Sequence, residues 1–203
     1  IIAKWNLWKL ANALFPLIKD EKKLEKTLND FNEIFWKKHD EVMAKKFGFN
    51  EVLEGDDQLF TDAQKLLEDL NLDYTLFFNR LEKLVTTSDL KELFGDISYS
   101  ILNEEQLSMI EVFIKNYQIR LEKNTISKAE SLELMSKTNP KFILRNYILF
   151  ECIEELKVGK KDLLNKILVA LENPYQETYP EFSQKRPSKY DGQTGCSTLS
   201  CSS

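Results

Sequence analysis

Six glycines and five prolines punctuate 203 residues, so the chain has few places for a tight turn. Glycine supplies the left-handed backbone that hairpins need, and proline interrupts helices. With both scarce, and with Leu, Glu, Lys, Asn and Phe dominant, the sequence favours long helices over short alternating strands. The expected fold class is all-α. An irregular multi-helix bundle is expected over residues 1–174, and an extended or flexible cysteine-bearing tail over 175–203, where Pro, Ser, Gln, Gly and Thr take over.

Apolar periodicity marks the elements. Trp5, Trp8, Ala11, Leu14 and Phe15 share a helical face, which Pro16 perturbs or ends. A longer helix is expected from Glu21 to Lys46, striped by Leu24, Leu28, Phe31, Phe35 and Val42 and stopped at Gly48. Asn50 to Asp57 reads as a loop. Thr61 and Gln64 have the spacing of a capping box on the following helix, which carries Leu59 to Leu70. Asp73 caps the next helix, which Thr86 to Asp89 breaks, and Leu90 to Phe94 makes a turn or short helix. Asn103 with Gln106, and Ser127 with Glu130, open two more. Asn139-Pro140 reads as a further helix start, because Asn accepts from orphan amides and Pro needs no donor there. That helix would stop at Gly159, and a last one would run from Lys161 to Glu172. Tyr175, Tyr179, Phe182 and Tyr190 are placed to pin parts of the tail to the body.

Charge and cysteine usage exclude several classes. Net charge is −5, with Lys pairs interleaved among Asp and Glu, which argues against a nucleic-acid backbone binder. No run reaches the length of a membrane span. The opening Ile1-Ile2-Ala3-Lys4-Trp5 lacks both an initiator Met and the order of an export signal, so a piece of a longer, cytoplasmic protein is expected. A mitochondrial home is the alternative for a eukaryotic source. The three cysteines form no C-x-x-C pair. Cys152 reads as core, whereas Cys196 and Cys201 share the tail, where a thiol is present for reactivity more than for packing. Those two could close a small disulfide loop, or one could pair outside the chain.

Candidates for chemistry are sparse. His39, the single histidine, sits among charged neighbours and reads as surface. Asp56-Asp57 and Glu104-Glu105 lack a calcium-loop pattern, and no Gly-rich phosphate loop or nucleophile elbow occurs. Arg145 stands between apolar residues in a stretch expected to be mid-helix. It is either an inter-helix clamp or a contact to an anion such as a nucleotide phosphate, and the clamp is preferred. Trp5 and Trp8 either pack within the chain or dock on a missing domain.

The run from Asn139 to Tyr147 resembles the N-P-K-[FY]-[VI]-L-R-N-[YW] stretch of the selenoprotein O family of protein adenylyltransferases. Trp5-Asn6-Leu7 with Leu10-Ala11, Ala13-Leu14 and Pro16-Leu17 is similar to the segment that follows that family's catalytic lobe. Leu72-Asp73-Tyr74-Thr75 with Phe77-Phe78 and Arg80-Leu81 is similar to a third family stretch, Glu172 to Tyr175 to a fourth, and Arg186-Pro187-Ser188 more loosely to an R-P-P segment. The resemblance implies a kinase-like fold that binds ATP in a flipped orientation and, with Mg²⁺ or Mn²⁺, moves AMP onto Ser, Thr or Tyr hydroxyls of proteins. The family's nucleotide and metal residues precede the W-N-L segment, so the resemblance implies no catalytic, cofactor or metal residue here. This chain would be the helical C-terminal portion, inactive alone, with the upstream kinase-like lobe and the parent's protein substrates as its partners. Cys201 falls on the family's terminal selenocysteine or cysteine, which can pair with an upstream cysteine; Cys196 departs from the pattern. The rival reading is a stand-alone helical protein-interaction module without catalysis.

Overall fold

The computed structural model describes residues 2–84 and 90–196, with Leu90–Glu92 described by backbone alone. The expected break at Thr86 to Asp89 and the terminal Cys201 lie outside the described residues. The fold is all-α: the described residues form nine α-helices and two short 3-10 turns and no strand, and Leu72 and Ser98 make an isolated bridge. Contacts divide the chain into two units, Ile1–Met43 and Ala44–Ser203.

The first unit consists of α1 (Ile2–Ile18) and most of α2 (Glu21–Lys46). Pro16 falls in the last turn of α1, where the helix runs out within two residues and Lys19 turns left-handed at φ 53°. No described residue of this unit is buried. Trp5, Trp8, Phe15, Phe35 and Trp36 are all exposed, and of the expected stripe on α2 Leu24, Leu28 and Phe31 are half-buried while Phe35 and Val42 are exposed. His39 stands on the same surface beside Trp36 and within 2.9 Å of Asp40.

The second unit holds the core. Gly48 adopts φ +76° just past α2, where a β-carbon would sit 2.5 Å from Ser131 Oγ, so only glycine fits without displacement. The freed carbonyls are taken up by side chains: Tyr117 donates to Phe47 O, and Asn124 and Ser131 donate to Gly48 O. α3 (Asp56–Asp69), α4 (Tyr74–Lys83), α5 (Leu90–Gly95) and α6 (Glu104–Leu121) then enclose an aromatic cluster. Phe47 stacks on Phe60 with centroids 5.5 Å apart and meets Phe78 edge-on at 5.1 Å; Phe77 adjoins Phe94 and Phe113. α6 aims Ile110, Phe113, Ile114, Tyr117 and Arg120 inward, one helical face. Its start is the expected Asn103/Gln106 capping box, and α7 (Lys128–Thr138) opens on the expected Ser127/Glu130 box. The proposed Thr61/Gln64 box does not form. α3 has already begun by Asp56, and the Thr61 hydroxyl donates back to Asp57 O inside it.

Asn139-Pro140 ends a helix and does not begin one. Asn139 is the C-cap of α7, in extended backbone at ψ 106°. A residue before proline is pushed out of the helical region, and this constraint outweighs the N-capping preference of asparagine. The Asn139 amide serves a tertiary role, exchanging hydrogen bonds with Lys46: it donates to the carbonyl and accepts from Nζ. Burial against the rings of Phe78 and Tyr74 lowers that lysine to about 8. Residues 140–145 run as loop, and α8 (Asn146–Lys157) starts six residues later than expected. α9 (Asp162–Glu172) packs on α8.

From Asn173 the chain leaves helix but stays on the body as far as it is described. Lys141 N and Phe142 N both donate to Pro174 O, at 2.7 and 3.0 Å. Phe182, Tyr190 and Cys196 are buried in a second apolar cluster with Phe142, Tyr147, Ile148, Cys152 and Ile167. Tyr190 stacks on Tyr147 and donates to Glu151 of α8. The compositional change at 174 therefore marks a change of local structure, while the contact boundary lies at Met43/Ala44.

Candidate functional site

Asp73 and Arg145 form the polar centre of the second unit. Asp73 is the N-cap of α4, its Oδ1 accepting from Leu76 N. Arg145 occupies the N-cap position of α8 in extended backbone (φ −82°, ψ 145°), not mid-helix as the sequence suggested. The loop created by Pro140 turns its side chain across the body. The guanidinium meets the carboxylate with two parallel contacts, Nη1 to Oδ2 at 2.5 Å and Nη2 to Oδ1 at 2.9 Å. Both side chains are largely out of water. Such a fork-on-fork pair fixes orientation as well as charge.

Two further segments join the pair. Asp73 N donates to Ile97 O and Tyr99 N to Asn71 O, which holds residues 97–99 beside the start of α4. Tyr99 then donates its hydroxyl to Asp73 Oδ2 at 2.8 Å and accepts from Arg186 N at 3.3 Å. Residues 73, 99, 145 and 186, from four distant stretches, thus share one network. Burial alone would raise the Asp73 carboxyl; the hydrogen bonds and charge of Arg145, with the Leu76 amide and the Tyr99 hydroxyl, hold it below the usual carboxylate range. Burial and the Asp73 charge push the Tyr99 hydroxyl up. A second link runs beside it: Asn79 donates to Pro140 O, and Lys141 Nζ reaches Asn79 and Glu82.

Beside this network lies an open pocket of about 630 Å³, lined by Leu76 and Arg80 of α4, Asp96, Tyr99 and the tail from Ser183 to Asp191. Arg80 pairs with Asp96 at 2.6 Å, Arg186 with Asp191 at 2.7 Å, and Lys185 Nζ donates to Ser98 O at 2.5 Å. The Arg186 guanidinium lies 4.9 Å from the Tyr99 ring centre.

Of the residues singled out in the sequence, Arg145 lies at the network itself. Cys196 lies in the tail that the network helps hold, as a free and buried thiol in the same cluster as Cys152. Cys201 falls outside the described residues. Asp56, weighed as a cation ligand, is instead buried against Arg120, which donates to both carboxylate oxygens at 2.5 and 2.9 Å and to Glu51 O. The sequence reading missed Arg120 and saw Asp73 only as a cap. A buried arginine needs a carboxylate, and Asp73 and Arg145 both lay in family-like stretches, so the pairing had a signal that went unused. Among the described residues no three His, Cys, Asp or Glu side chains gather as metal ligands. The carboxylates nearest the pocket each hold a guanidinium. Neither of these carboxylates is free to hold a magnesium or manganese ion. No helix among the described residues is long and apolar enough to cross a membrane.

Comparison with known proteins places the chain. A family model described as protein adenylyltransferase SelO matches residues 1–173. The protein nucleotidyltransferase YdiU of Cytophaga hutchinsonii is 36% identical over 206 residues, covering all of this chain and 39% of that relative. The proteins of the same name from Flavobacterium johnsoniae and Rhodopirellula baltica are 31% and 32% identical, with 40% and 41% of their lengths covered. The chain therefore spans about two fifths of the curated relatives it matches. The matched span contains both Asp73 and Arg145, and the chain belongs to the SelO family of protein adenylyltransferases.

Proposed function

We propose that this chain is the helical C-terminal scaffold of a protein that transfers AMP from ATP to Ser, Thr or Tyr hydroxyls of other proteins. The ATP and the Mg²⁺ or Mn²⁺ are held by upstream polypeptide, the kinase-like lobe that is this scaffold's first partner; target proteins are its second. The work of these residues is to hold helices and tail in register and to present the terminal sulfur of Cys201 for thiol–disulfide exchange. The site of action is the cytoplasm, or mitochondria in a eukaryote. The observation that carries this reading is the four-way network at Asp73, built from family-like segments and devoid of a free carboxylate pair. The burial of Cys196 supports the division of labour between the two tail thiols. Cys196 acts as an anchor and Cys201 as the exchanging group. Cys201 follows Cys196 by five residues, a tether of about 18 Å at full extension.

The test is incubation with radiolabelled ATP and Mn²⁺. The 203 residues alone remain unlabelled, whereas the longer polypeptide carrying them labels itself or an added protein. Label on the short chain would overturn the assignment of the active site to upstream sequence. A mass map of sulfur linkages in the longer protein should find Cys201 joined elsewhere and Cys196 reduced.

A further inference from the structure

The pocket beside the Asp73 network has a composition that scaffolding does not require. The chain as a whole carries net charge −5, yet this pocket sets Arg80, Lys185 and Arg186 against only Asp96 and Asp191. Each arginine spends one edge on its carboxylate, and that ion pair fixes the direction of its remaining N–H groups without exhausting them. Arg186 uses Nε and Nη2 on Asp191 Oδ1. Arg80 uses Nη2 on Asp96, and its Nε, buried from solvent, has no acceptor among the described residues. Lys185 is fixed by Ser98 O, and Lys185 and Arg186 are both held against the Tyr99 ring. Gln184 and Ser188 add neutral polar groups, and Leu76 and Pro187 an apolar floor. A volume of about 630 Å³ falls within the range of small-molecule sites.

From this arrangement we infer that the pocket between α4 and the tail binds a small phosphoryl anion, with Arg80, Lys185 and Arg186 as its cationic contacts. Planar guanidinium forks match tetrahedral phosphate oxygens, and prior fixing by Asp96, Asp191 and Tyr99 removes much of the ordering cost of capture. The excess of one cation over the two carboxylates leaves the pocket net positive and so favours an anion. The volume leaves room for a phosphomonoester as well as for free phosphate. The two share this chemistry.

The measurement is a titration of the intact chain at constant ionic strength, with inorganic phosphate in one arm and ribose 5-phosphate in the other, followed through the backbone amide resonances of residues 184–186 and 188–191. Saturable shifts with a dissociation constant on the order of 1 mM or tighter are expected. Tighter binding of ribose 5-phosphate identifies a phosphomonoester, and equal binding identifies phosphate itself; both support the site. Arg186→Gln and Lys185→Gln should each weaken binding about tenfold. Asp191→Asn removes the competing charge but keeps an Oδ1 acceptor that orients Arg186, so it should tighten binding. Lys166→Gln, which removes the Lys166–Glu181 pair and the Lys166 contact with the Tyr179 ring but no group lining the pocket, should change nothing. Arg80→Gln should weaken binding as well, and because Lys185 and Asp191 lie outside the helices their variants report even if Arg80→Gln fails to fold. Absence of saturation, or equal affinity in the Lys185, Asp191 and Lys166 variants, would overturn the inference.

Discussion

At the scale of single residues, the Asp73–Arg145 pair sets the strongest expectation. Removing one partner of a buried, doubly bonded pair leaves the other charge without compensation, a loss of about 3 kcal/mol or more. Asp73→Asn keeps an acceptor for the Leu76 amide but strands the Arg145 guanidinium, so it isolates the charge from the cap. The sign of the pH effect follows from the direction of the shift. A carboxyl held below its unfolded value contributes fully above that value, near 3.9, and its contribution is lost as pH falls through the folded value. Urea unfolding of the two proteins should show a gap of that size at pH 6 that closes toward pH 2. A gap independent of pH would mean that packing, not charge, sets the cost. Arg145→Ala should produce a loss of the same size at neutral pH.

At the scale of elements, Gly48 is the most demanding position. Its left-handed φ and the 2.5 Å approach of Ser131 Oγ mean that Gly48→Ala must strain the backbone and displace α7 or the hydroxyl that caps Gly48 O. A loss of about 2 kcal/mol in thermal or urea unfolding is expected, and a neutral result would contradict the geometry. Gly48 was legible in the sequence because helix stop signals are local. So were the limits of α2, the Asp73 cap and the boxes at Asn103 and Ser127, where backbone and side chain answer each other within a few residues. What was not legible was decided at a distance. Asn139 has two plausible local roles, and the proline after it and Lys46, 93 positions earlier, settle the matter. Arg145 read as mid-helix because its apolar neighbours have helical spacing. Its true place became visible only when the loop from Pro140 brought it across to Asp73.

At the scale of the whole molecule, the tail beyond Asn173 belongs to the folded body through Cys196. Its aromatic residues announced as much, whereas its Pro-, Ser- and Gly-rich composition argued the reverse. Composition describes what a segment can do alone, and Tyr190 and Phe182 are not alone. The opposite holds at the other end, where nothing from Ile2 to Met43 is buried despite a dense set of tryptophans and phenylalanines. Calorimetry gives that contrast a measurable form. Cooperative melting needs a shared interior, so the sharp endotherm of this chain should carry the enthalpy of Ala44–Ser203 alone, about 110 kcal/mol at about 0.7 kcal/mol per residue. The helical ellipticity of the leading residues should instead drain away gradually across the temperature scan, as in a helix–coil transition.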